Sequence, residues 1–455
     1  MAARLRRATP RQILVAGWLG FMLYAYPGYM SYDSVFQLGE ARAGRFSDQH
    51  PPAMAELWRI VDHVITGPIG MLLLQSVCFL AGVYLLFRRR MQPRTAAIAA
   101  SLVLWFPPVS SVMAVIWKDS QMSAYIVLGT ALILEPRRAW KLAGLALLVL
   151  GTAMRHNGLA TTFPIVVVLF SWDPAHRFVK RHAIALAVSI AVIGAAQLVT
   201  RVLTDEPRHG WSTSFALVDI TATLRYVEPT IPDDQLRALL AGTTVLPEHD
   251  LHEATRREPL GEWVTAYWDT AYSFFAVPKT AAERDAMTAA WRRVVPSHLG
   301  AYLTYRLEVF RRLLGLPPVH LASPVYNWFT DIQDIYGSAV KAGHDAGPAK
   351  VQDLLRRAMH WLGATYVFWI MTYAVLALLL IPFCFWDREV LALVASAILS
   401  EAALFVVAPT TDWRYSFWLV LAVVLAIVLV VARRYTAWLT VKMTKQKSGL
   451  QAVTQ

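Results

Sequence analysis

The chain has 455 residues, of which 56% are hydrophobic and 16% are charged, against roughly 25% charged residues in a soluble globular protein. This composition excludes an ordinary soluble domain and favours a membrane protein. The formal net charge of +12 does not require a nucleic-acid partner, because the basic residues cluster in short turns between apolar runs.

Ten apolar runs are long enough, or nearly so, to cross a membrane as helices, which takes about 20 residues each. The sequence therefore predicts an all-α polytopic membrane protein of about ten transmembrane helices, with a helical non-cytoplasmic segment. The expected spans are 12–27, 68–87, 95–116, 120–135, 139–154, 159–172, 183–203, 361–384, 390–408 and 416–432. The basic N-terminus leads into the first run without a small-residue cleavage site, so we expect an uncleaved first helix.

The connections between these runs divide the charges unevenly. With the N-terminus in the cytoplasm, the cytoplasmic pieces hold 20 of the 43 Lys and Arg and, with Glu135 included, only 4 of the 31 Asp and Glu. The pieces are 1–11, 88–94, 136–141, 173–182, 387–389 and 433–455. Because Lys and Arg favour the cytoplasmic side, we expect both termini there, in a bacterial-type inner membrane.

Three regions result from this layout. Residues 1–203 are expected to form an N-terminal transmembrane region of seven helices, with a first outer loop at 28–67. Residues 204–360 are expected to form the helical non-cytoplasmic segment. Residues 361–455 are expected to contain helices eight to ten and a cytoplasmic tail.

The segment 204–360 carries helix signals of its own. Thr280 and Glu283 form the pattern of a capping box, and Ser297 is expected to cap the next helix, which Pro317-Pro318 would end. Many aromatic side chains in this segment are typical of a domain that rests on the membrane interface. They include Trp211, Trp263, Tyr267, Trp268 and Trp328.

Cofactor signals are weak. Cys78 and Cys384 have no metal-ligand spacing, the histidines are scattered, and no nucleotide-binding loop is present. We therefore expect no metal and no cofactor, and leave open an Asp-bound divalent cation near a diphosphate.

Four connections on the expected outer side carry mixed acidic, basic and amide groups near the membrane boundary. They hold Asp33, Gln37 and His50 in the first loop, Lys118 and Asp119 after the third run, Arg155, His156 and Asn157 after the fifth, and Asp412, Arg414 and Tyr415 after the ninth. Taken singly, each is expected as a solvated cap or an ion pair, with Asp119 and Asp412 pairing to Lys118, Arg155 or Arg414. Because ionisable groups at this depth usually face a polar interior, the four connections together predict an outer cavity. Cations there suit a phosphate, and a carboxylate beside them suits a general base.

The first loop resembles that of the GT-C membrane glycosyltransferases, which include the protein O-mannosyltransferases and the lipid A aminoarabinose transferase. The shared pattern is an acidic residue after the first transmembrane helix, then a glycine, then His-Pro-Pro. Here it runs Asp33-Ser34, Gln37, Gly44 and His50-Pro51-Pro52. The better-known members have Asp-Glu where this chain has Asp33-Ser34, which leaves the donor sugar and the acceptor undefined.

The resemblance implies an enzyme that takes a sugar from a polyprenyl-phosphate carrier and passes it to a glycan, lipid or protein acceptor on the non-cytoplasmic side. It implies Asp33 as the base that activates the acceptor hydroxyl. Lys118, Arg155 and Arg414 are the positions that would hold the donor phosphate, and the other polar residues of the four connections would bind substrate or support the site. Asp33 is preferred over Asp119 and Asp412 because a carboxylate beside a cation is expected to be ion-paired and weakly basic.

Two other classes of protein stay open. A transporter or flippase of a lipid-linked or anionic solute would also explain the cations and the cavity. Against it, the sequence shows no repeated halves and no matched pair of broken helices, since only Pro107-Pro108 and Pro164 interrupt the runs. A scaffolding membrane protein would not need four polar clusters on one side.

Overall fold

The chain folds into α-helices throughout the part that the structure describes. The structure is a computed structural model that describes residues 8–246, 271–316, 325–327, 349–408 and 410–453, with the backbone alone from 436 onward. Within these residues there is no β-strand, and backbone pairing between extended segments is confined to isolated bridges.

The helices of the N-terminal region follow one another with short connections. They are α1 (Pro10–Ala25), α2 (Tyr32–Ala43), α3 (Ala53–Asp62), α4 (Pro68–Phe87), α5 (Pro93–Trp105), α6 (Pro107–Met113), α7 (Lys118–Ile133), α8 (Arg138–Ala153), α9 (Gly158–Leu169) and α10 (Phe178–Leu203). The expected outer loop at 28–67 is therefore built largely from two helices, α2 and α3.

The second half of the chain contains both the middle segment and the last apolar helices. They are α11 (Ala216–Leu224), α12 (Asp233–Leu239), α13 (Ala281–Ser297), α14 (Leu299–Leu313), α15 (Lys350–Gly363), α16 (Ile370–Cys384), α17 (Arg388–Val407) and α18 (Phe417–Val453). A short 3-10 helix, Trp413–Ser416, leads into α18.

Several of these helices indicate a membrane protein. Among the described residues, α4, α10, α17 and the apolar stretch Trp413–Tyr435 are long and apolar enough to cross a membrane. The pair α5 and α6 makes a fifth candidate when it is counted as one broken span. A helix overlaps each of the ten apolar runs, but among the described residues only four or five candidate spans are long and apolar enough to cross a membrane.

Two expected spans are interrupted. The run 95–116 is not one helix, because α5 and α6 meet at an angle of 71° around Phe106. Pro107 lacks a backbone N–H and disfavours helical backbone at the residue before it, which explains the break. The run 361–384 begins too early, since its first residues end α15 and α16 starts only at Ile370.

The helix signals of the middle segment are correct at one position and wrong at another. Thr280 caps α13 through a capping box with Glu283, as the sequence predicts. The prediction for Ser297 is wrong: this residue is the last of α13, and α14 follows after His298. The proline pair at 317–318 and the aromatic residues at 263, 267, 268 and 328 lie outside the described residues.

Two hydrophobic cores organise the molecule. The larger core joins the N-terminal helices to α16, α17 and α18, and contains the fully buried rings of Trp58 and Trp418. The smaller core joins α11, α13 and α14, and also takes in Leu404 and Ala408 from the end of α17. The middle segment therefore rests on the end of α17 that leads to Arg414.

The helix α10 contacts the rest of the molecule along a narrow seam. Its buried residues are Ala185, Ser189, Val192 and Ala196, which recur every three or four positions. Ile190 lies on the other side of the helix and is 62% exposed. This arrangement is typical of a helix that packs against the protein along one side and exposes apolar side chains on the other.

Candidate functional site: an ion cluster at the start of α2 and α7

Backbone pairing brings the start of α2 next to the start of α7. The amide of Tyr29 donates to the carbonyl of Ala114 at 2.9 Å, and the amide of Ile116 donates back to Tyr29 at 3.0 Å. The hydroxyl of Ser34 then donates to the carbonyl of Ile116 at 2.7 Å. These bonds fix the first turn of α2 against the segment that leads into Lys118.

Ser31 and Trp117 complete this junction. The Ser31 hydroxyl caps α2 by accepting from the amide of Ser34. It also accepts a hydrogen bond from the Trp117 indole at 2.6 Å. Asp33 sits in the first turn of α2 and Lys118 is the first residue of α7, so the junction places their side chains side by side.

The carboxylate of Asp33 is the centre of an ion cluster. Its Oδ2 atom lies 2.8 Å from Arg414 Nη1 and 3.7 Å from Lys118 Nζ. Its Oδ1 atom lies 3.8 Å from His50 Nε2. All four side chains are mostly buried, with exposed fractions between 11% and 18%. Residues from three distant parts of the chain thus meet at one carboxylate.

His50 is held as a neutral ring. Burial and the nearby Lys118 ammonium lower the pKa of His50 to about 3, even though Asp33 acts in the opposite direction. Lys118 Nζ lies 2.7 Å from His50 Nδ1, so Nδ1 accepts this hydrogen bond. A neutral ring that accepts through Nδ1 carries its proton on Nε2, the atom that faces Asp33.

Arg414 is fixed from several sides. Its Nε atom donates to Asp412 Oδ2 at 2.6 Å, and its guanidinium lies over the rings of Trp117 and Tyr415, at 4.7 Å and 5.6 Å from the ring centroids. Such contacts with aromatic faces favour the cation. The guanidinium therefore reaches Asp33 in one defined orientation.

The short helix that carries Arg414 is anchored to two other parts of the bundle. The Trp413 indole donates to the carbonyl of Phe368 at 2.6 Å. The Ser416 hydroxyl donates to the carboxyl group of Glu401, which is buried in α17, at 2.9 Å. The position of Arg414 thus depends on α17 and on the segment before α16.

A second ion pair adjoins the first group. Arg155 Nη1 pairs with Asp119 Oδ1, and the Arg155 guanidinium lies 5.0 Å from the centroid of the Tyr415 ring. Tyr415 is therefore shared between Arg155 and Arg414. The Oδ2 atom of Asp119 is buried and has no hydrogen-bond partner in the described part of the chain.

Gln37 lies one turn after Asp33 on α2. Its amide nitrogen donates to the Asp33 carbonyl at 3.2 Å. Its Oε1 atom is buried and, within the described residues, accepts no hydrogen bond. Buried polar atoms without partners are uncommon, and they mark places where a bound water or ligand would be accommodated.

The electrostatics of Asp33 correct one sequence-based argument. Burial raises the pKa of Asp33, but Arg414, Lys118 and His50 outweigh this effect and lower the pKa well below its usual range. Asp33 was preferred over Asp119 and Asp412 on the ground that those two would be ion-paired. Both are ion-paired, but Asp33 contacts two cations as well, so ion pairing does not distinguish the three carboxylates.

The structure brings most of the candidate residues together. One connected group contains Asp33, His50, Lys118, Asp119, Arg155, Asp412, Arg414 and Tyr415. His156 is exposed beside this group, and Asn157 precedes α9 without capping it through its side chain. Sequence reasoning missed Ser31 and Trp117 as members of the site. The position of Trp117 next to Lys118 was the available signal.

The fold and the site define an all-helical membrane protein with an ion cluster near one end of its helices. Within the described residues, no group of three or more His, Cys, Asp or Glu side chains is arranged to hold a metal ion. Comparison with protein-family models, with curated proteins and with solved structures finds no match to this chain. Its function must therefore be argued from the geometry of the site.

Proposed function

We propose that the protein is a membrane glycosyltransferase that transfers a sugar from a polyprenyl-phosphate carrier to an acceptor on the non-cytoplasmic side. The observation that carries this proposal is the convergence of Lys118 and Arg414 on the carboxylate of Asp33, with Arg155 adjoining through Tyr415. Cations held in this way suit a phosphate, and a carboxylate among them suits proton transfer.

Donor binding changes the partners of Asp33. Without a donor, three cations face three carboxylates, since Arg155 pairs with Asp119 and Arg414 also contacts Asp412. A lipid phosphate that enters the cluster competes with Asp33 for Lys118 and Arg414. As these cations turn to the phosphate, the pKa of Asp33 rises towards its ordinary range and the carboxylate becomes a better base.

The transfer step then follows from the same residues. The hydroxyl oxygen of the acceptor attacks the anomeric carbon of the sugar while the bond from that carbon to the phosphate oxygen breaks. The hydroxyl proton passes to Asp33, and the bonding electrons leave with the carrier phosphate. Lys118 and Arg414 stabilise the charge that develops on the leaving phosphate.

The proposal includes a membrane layout. The ten apolar runs cross a bacterial-type inner membrane with both termini in the cytoplasm, and the shorter helices within them, such as α9 with 12 residues, leave room for a polar site. Helices α2 and α3 and the segment 204–360 then lie on the non-cytoplasmic side. The supporting observation is that the start of α7, the connection between α8 and α9, and the short helix 413–416 meet at the ion cluster.

Sugar transfer by the purified protein tests this function. Wild type and the variants Asp33→Asn, Asp119→Asn and Asp412→Asn would be assayed with a panel of polyprenyl-phosphate sugars. Asp33→Asn cannot accept a proton, so we expect its transfer rate to fall by about 10²–10⁴-fold. Its donor affinity should be equal to or higher than that of wild type, because a competing anion has been removed.

Other outcomes would assign the roles differently. If Asp33→Asn transfers sugar at a near-normal rate while Asp119→Asn or Asp412→Asn is inactive, the residue of the inactive variant would be assigned as the base. Loss of stability and of donor binding in Asp33→Asn would make Asp33 a structural partner of the cations. If the wild-type protein transfers sugar from none of the donors in the panel, the result would count against a glycosyltransferase.

A transporter or flippase of a lipid-linked or anionic solute is the second candidate. The bend of 71° between α5 and α6 favours it, because discontinuous helices often line the substrate sites of transporters. Flipping of a fluorescent polyprenyl-phosphate lipid in proteoliposomes, without any sugar transfer, would support this class.

A further inference from the structure

A second group of charged residues lies at the other ends of the same helices. Helix α7 begins at Lys118 in the ion cluster and ends at Ile133, while α17 begins at Arg388 and runs towards Ala408 and Arg414. At the far end of both helices, a cavity of about 460 Å³ is lined by charged side chains. They are Arg89, Arg90, Asp387, Arg388, Glu389 and Arg433.

The carboxylates of this group are already engaged and point inward. Asp387 Oδ2 lies 3.1 Å from Arg90 Nη1, and Asp387 also caps α17 through the amide of Glu389. Glu389 Oε2 lies 3.2 Å from Arg90 Nε. The side chains of Asp387 and Glu389 are 3% and 9% exposed, against 30% for Arg90 and 45% for Arg433. The accessible part of the cavity wall is therefore cationic.

An apolar cavity continues from this cationic one. Its volume is about 330 Å³, and it shares Trp386, Asp387 and Arg433 with its neighbour. It adds Phe383 from α16 and Val430 from α18 to the lining, and also Arg434. Together the two cavities have five arginines and two carboxylates along their walls.

We propose that these two cavities bind one anionic phospholipid. Its phosphodiester oxygens accept hydrogen bonds from Arg388 and Arg433, and one acyl chain lies against Phe383 and Val430. A planar guanidinium suits a phosphate group, and basic pockets between membrane helices are suited to anionic headgroups. The site lies at the opposite ends of α7 and α17 from Asp33, so it does not depend on sugar transfer.

Native mass spectrometry of the full-length protein in detergent tests this site. The protein would be titrated with phosphatidylglycerol and, separately, with zwitterionic phosphatidylcholine of the same acyl chains. We expect tighter binding of phosphatidylglycerol to wild type. Removing one cation, in Arg388→Gln or Arg433→Gln, should weaken that binding about fivefold, from about 1 kcal/mol for each basic residue.

One control and one further variant separate this site from a general attraction of anionic lipids to positive charge. Arg137 is exposed at the same end of the bundle and does not line either cavity, so Arg137→Gln should bind phosphatidylglycerol as wild type does. Arg433 also donates to the carbonyl of Trp386, and Arg388 to the carbonyl of Val168, so each substitution also removes a hydrogen bond within the protein. Arg434 lines the second cavity beside Arg433 and adds to the positive charge near the phosphate, so Arg434→Gln serves as a further variant with the same expected weakening.

Three results would overturn the proposal. The first is equal affinity for the two lipids. The second is an equal loss of binding in Arg137→Gln and Arg388→Gln. The third is displacement of phosphatidylglycerol by glycerol phosphate, which has the headgroup without acyl chains; that result would make the cavity a site for a soluble phosphate.

Discussion

Arg414 joins Asp33, at the centre of the ion cluster, to Asp412 and to two aromatic rings. Its guanidinium contacts Asp33 and Asp412 and lies over Trp117 and Tyr415. A lysine would keep the charge but lose the planar fork that reaches two carboxylates at once. The role of Arg414 therefore depends on its shape as well as on its charge.

Replacement of the cations should weaken donor binding. We expect Arg414→Ala and Arg155→Ala to lower the affinity for a polyprenyl-phosphate by roughly 10-fold or more, because a hydrogen bond to a charged group contributes about 1.5–3 kcal/mol. Arg414→Lys should recover only part of that loss. Binding to purified protein, followed by microscale thermophoresis or native mass spectrometry, gives the measurement.

Arg201 provides the matched control for these variants. It lies in the last turn of α10 and is exposed, so Arg201→Ala should keep the wild-type affinity for the donor. If Arg155→Ala and Arg414→Ala both retain wild-type affinity as well, the assignment of the phosphate site is wrong.

The residues of the cluster could be predicted from the sequence, but their pairing could not. Four polar connections near membrane boundaries identify Asp33, Lys118, Arg155 and Arg414 as candidates. The sequence left Lys118, Arg155 and Arg414 open as partners of Asp119, and the structure pairs it with Arg155. Consecutive residues on a helix point in different directions, and Lys118 is directed to His50 and Asp33 instead.

At the scale of helices, two glycines determine how closely α7 and α8 approach. A Cβ atom at Gly144 would lie 2.8 Å from the carbonyl oxygen of Gly129 and 2.8 Å from the backbone nitrogen of Ile133. Backbone atoms cannot move aside as a flexible side chain can. Small residues of this kind allow membrane helices to pack closely.

Substitution of Gly144 should therefore destabilise the pair. We expect Gly144→Ala to separate α7 from α8 and to lower the apparent unfolding temperature in detergent, because the added methyl group meets two backbone atoms of α7. Gly194→Ala in α10 is the control, since a Cβ there has nothing within 4 Å. An unchanged unfolding temperature for Gly144→Ala would show that the two helices can move apart at little cost.

Helices are the part of the fold that the sequence predicts best. Long apolar runs place α4, α10 and α17 within a few residues of their observed bounds. The errors occur where local backbone structure differs from what composition predicts. The proline pair 107–108 divides α5 from α6. His298, and not Ser297 as the sequence predicts, precedes α14.

At the scale of the whole molecule, the proposed layout can be tested by labelling. Single cysteines would replace Arg137 and Asp234, both exposed, in a chain without Cys78 and Cys384. An impermeant maleimide added to intact spheroplasts should label the cysteine at position 234. It should reach position 137 only after the membrane is opened, because basic turns stay in the cytoplasm.

Labelling of position 137 but not of position 234 in intact spheroplasts would mean that the protein has the opposite orientation. Labelling of both positions in intact spheroplasts would place them on the same side of the membrane. An even number of spans would then separate them, whereas the proposal has three: α8, α9 and α10. Labelling tests this point directly, because α7 and α9, with 16 and 12 residues, are shorter than the roughly 17 residues that a span usually needs.

The seam of α10 has a consequence for how this chain can change over generations. Ala185, Ser189, Val192 and Ala196 are buried against the bundle and none is larger than valine, so we expect a bulky replacement at any of them to push the helix away. Positions such as Ile190 and Leu198 face outward, and almost any apolar side chain serves there equally well. Over evolution, we expect the four buried positions to keep side chains no larger than valine, while the exposed positions exchange one apolar residue for another.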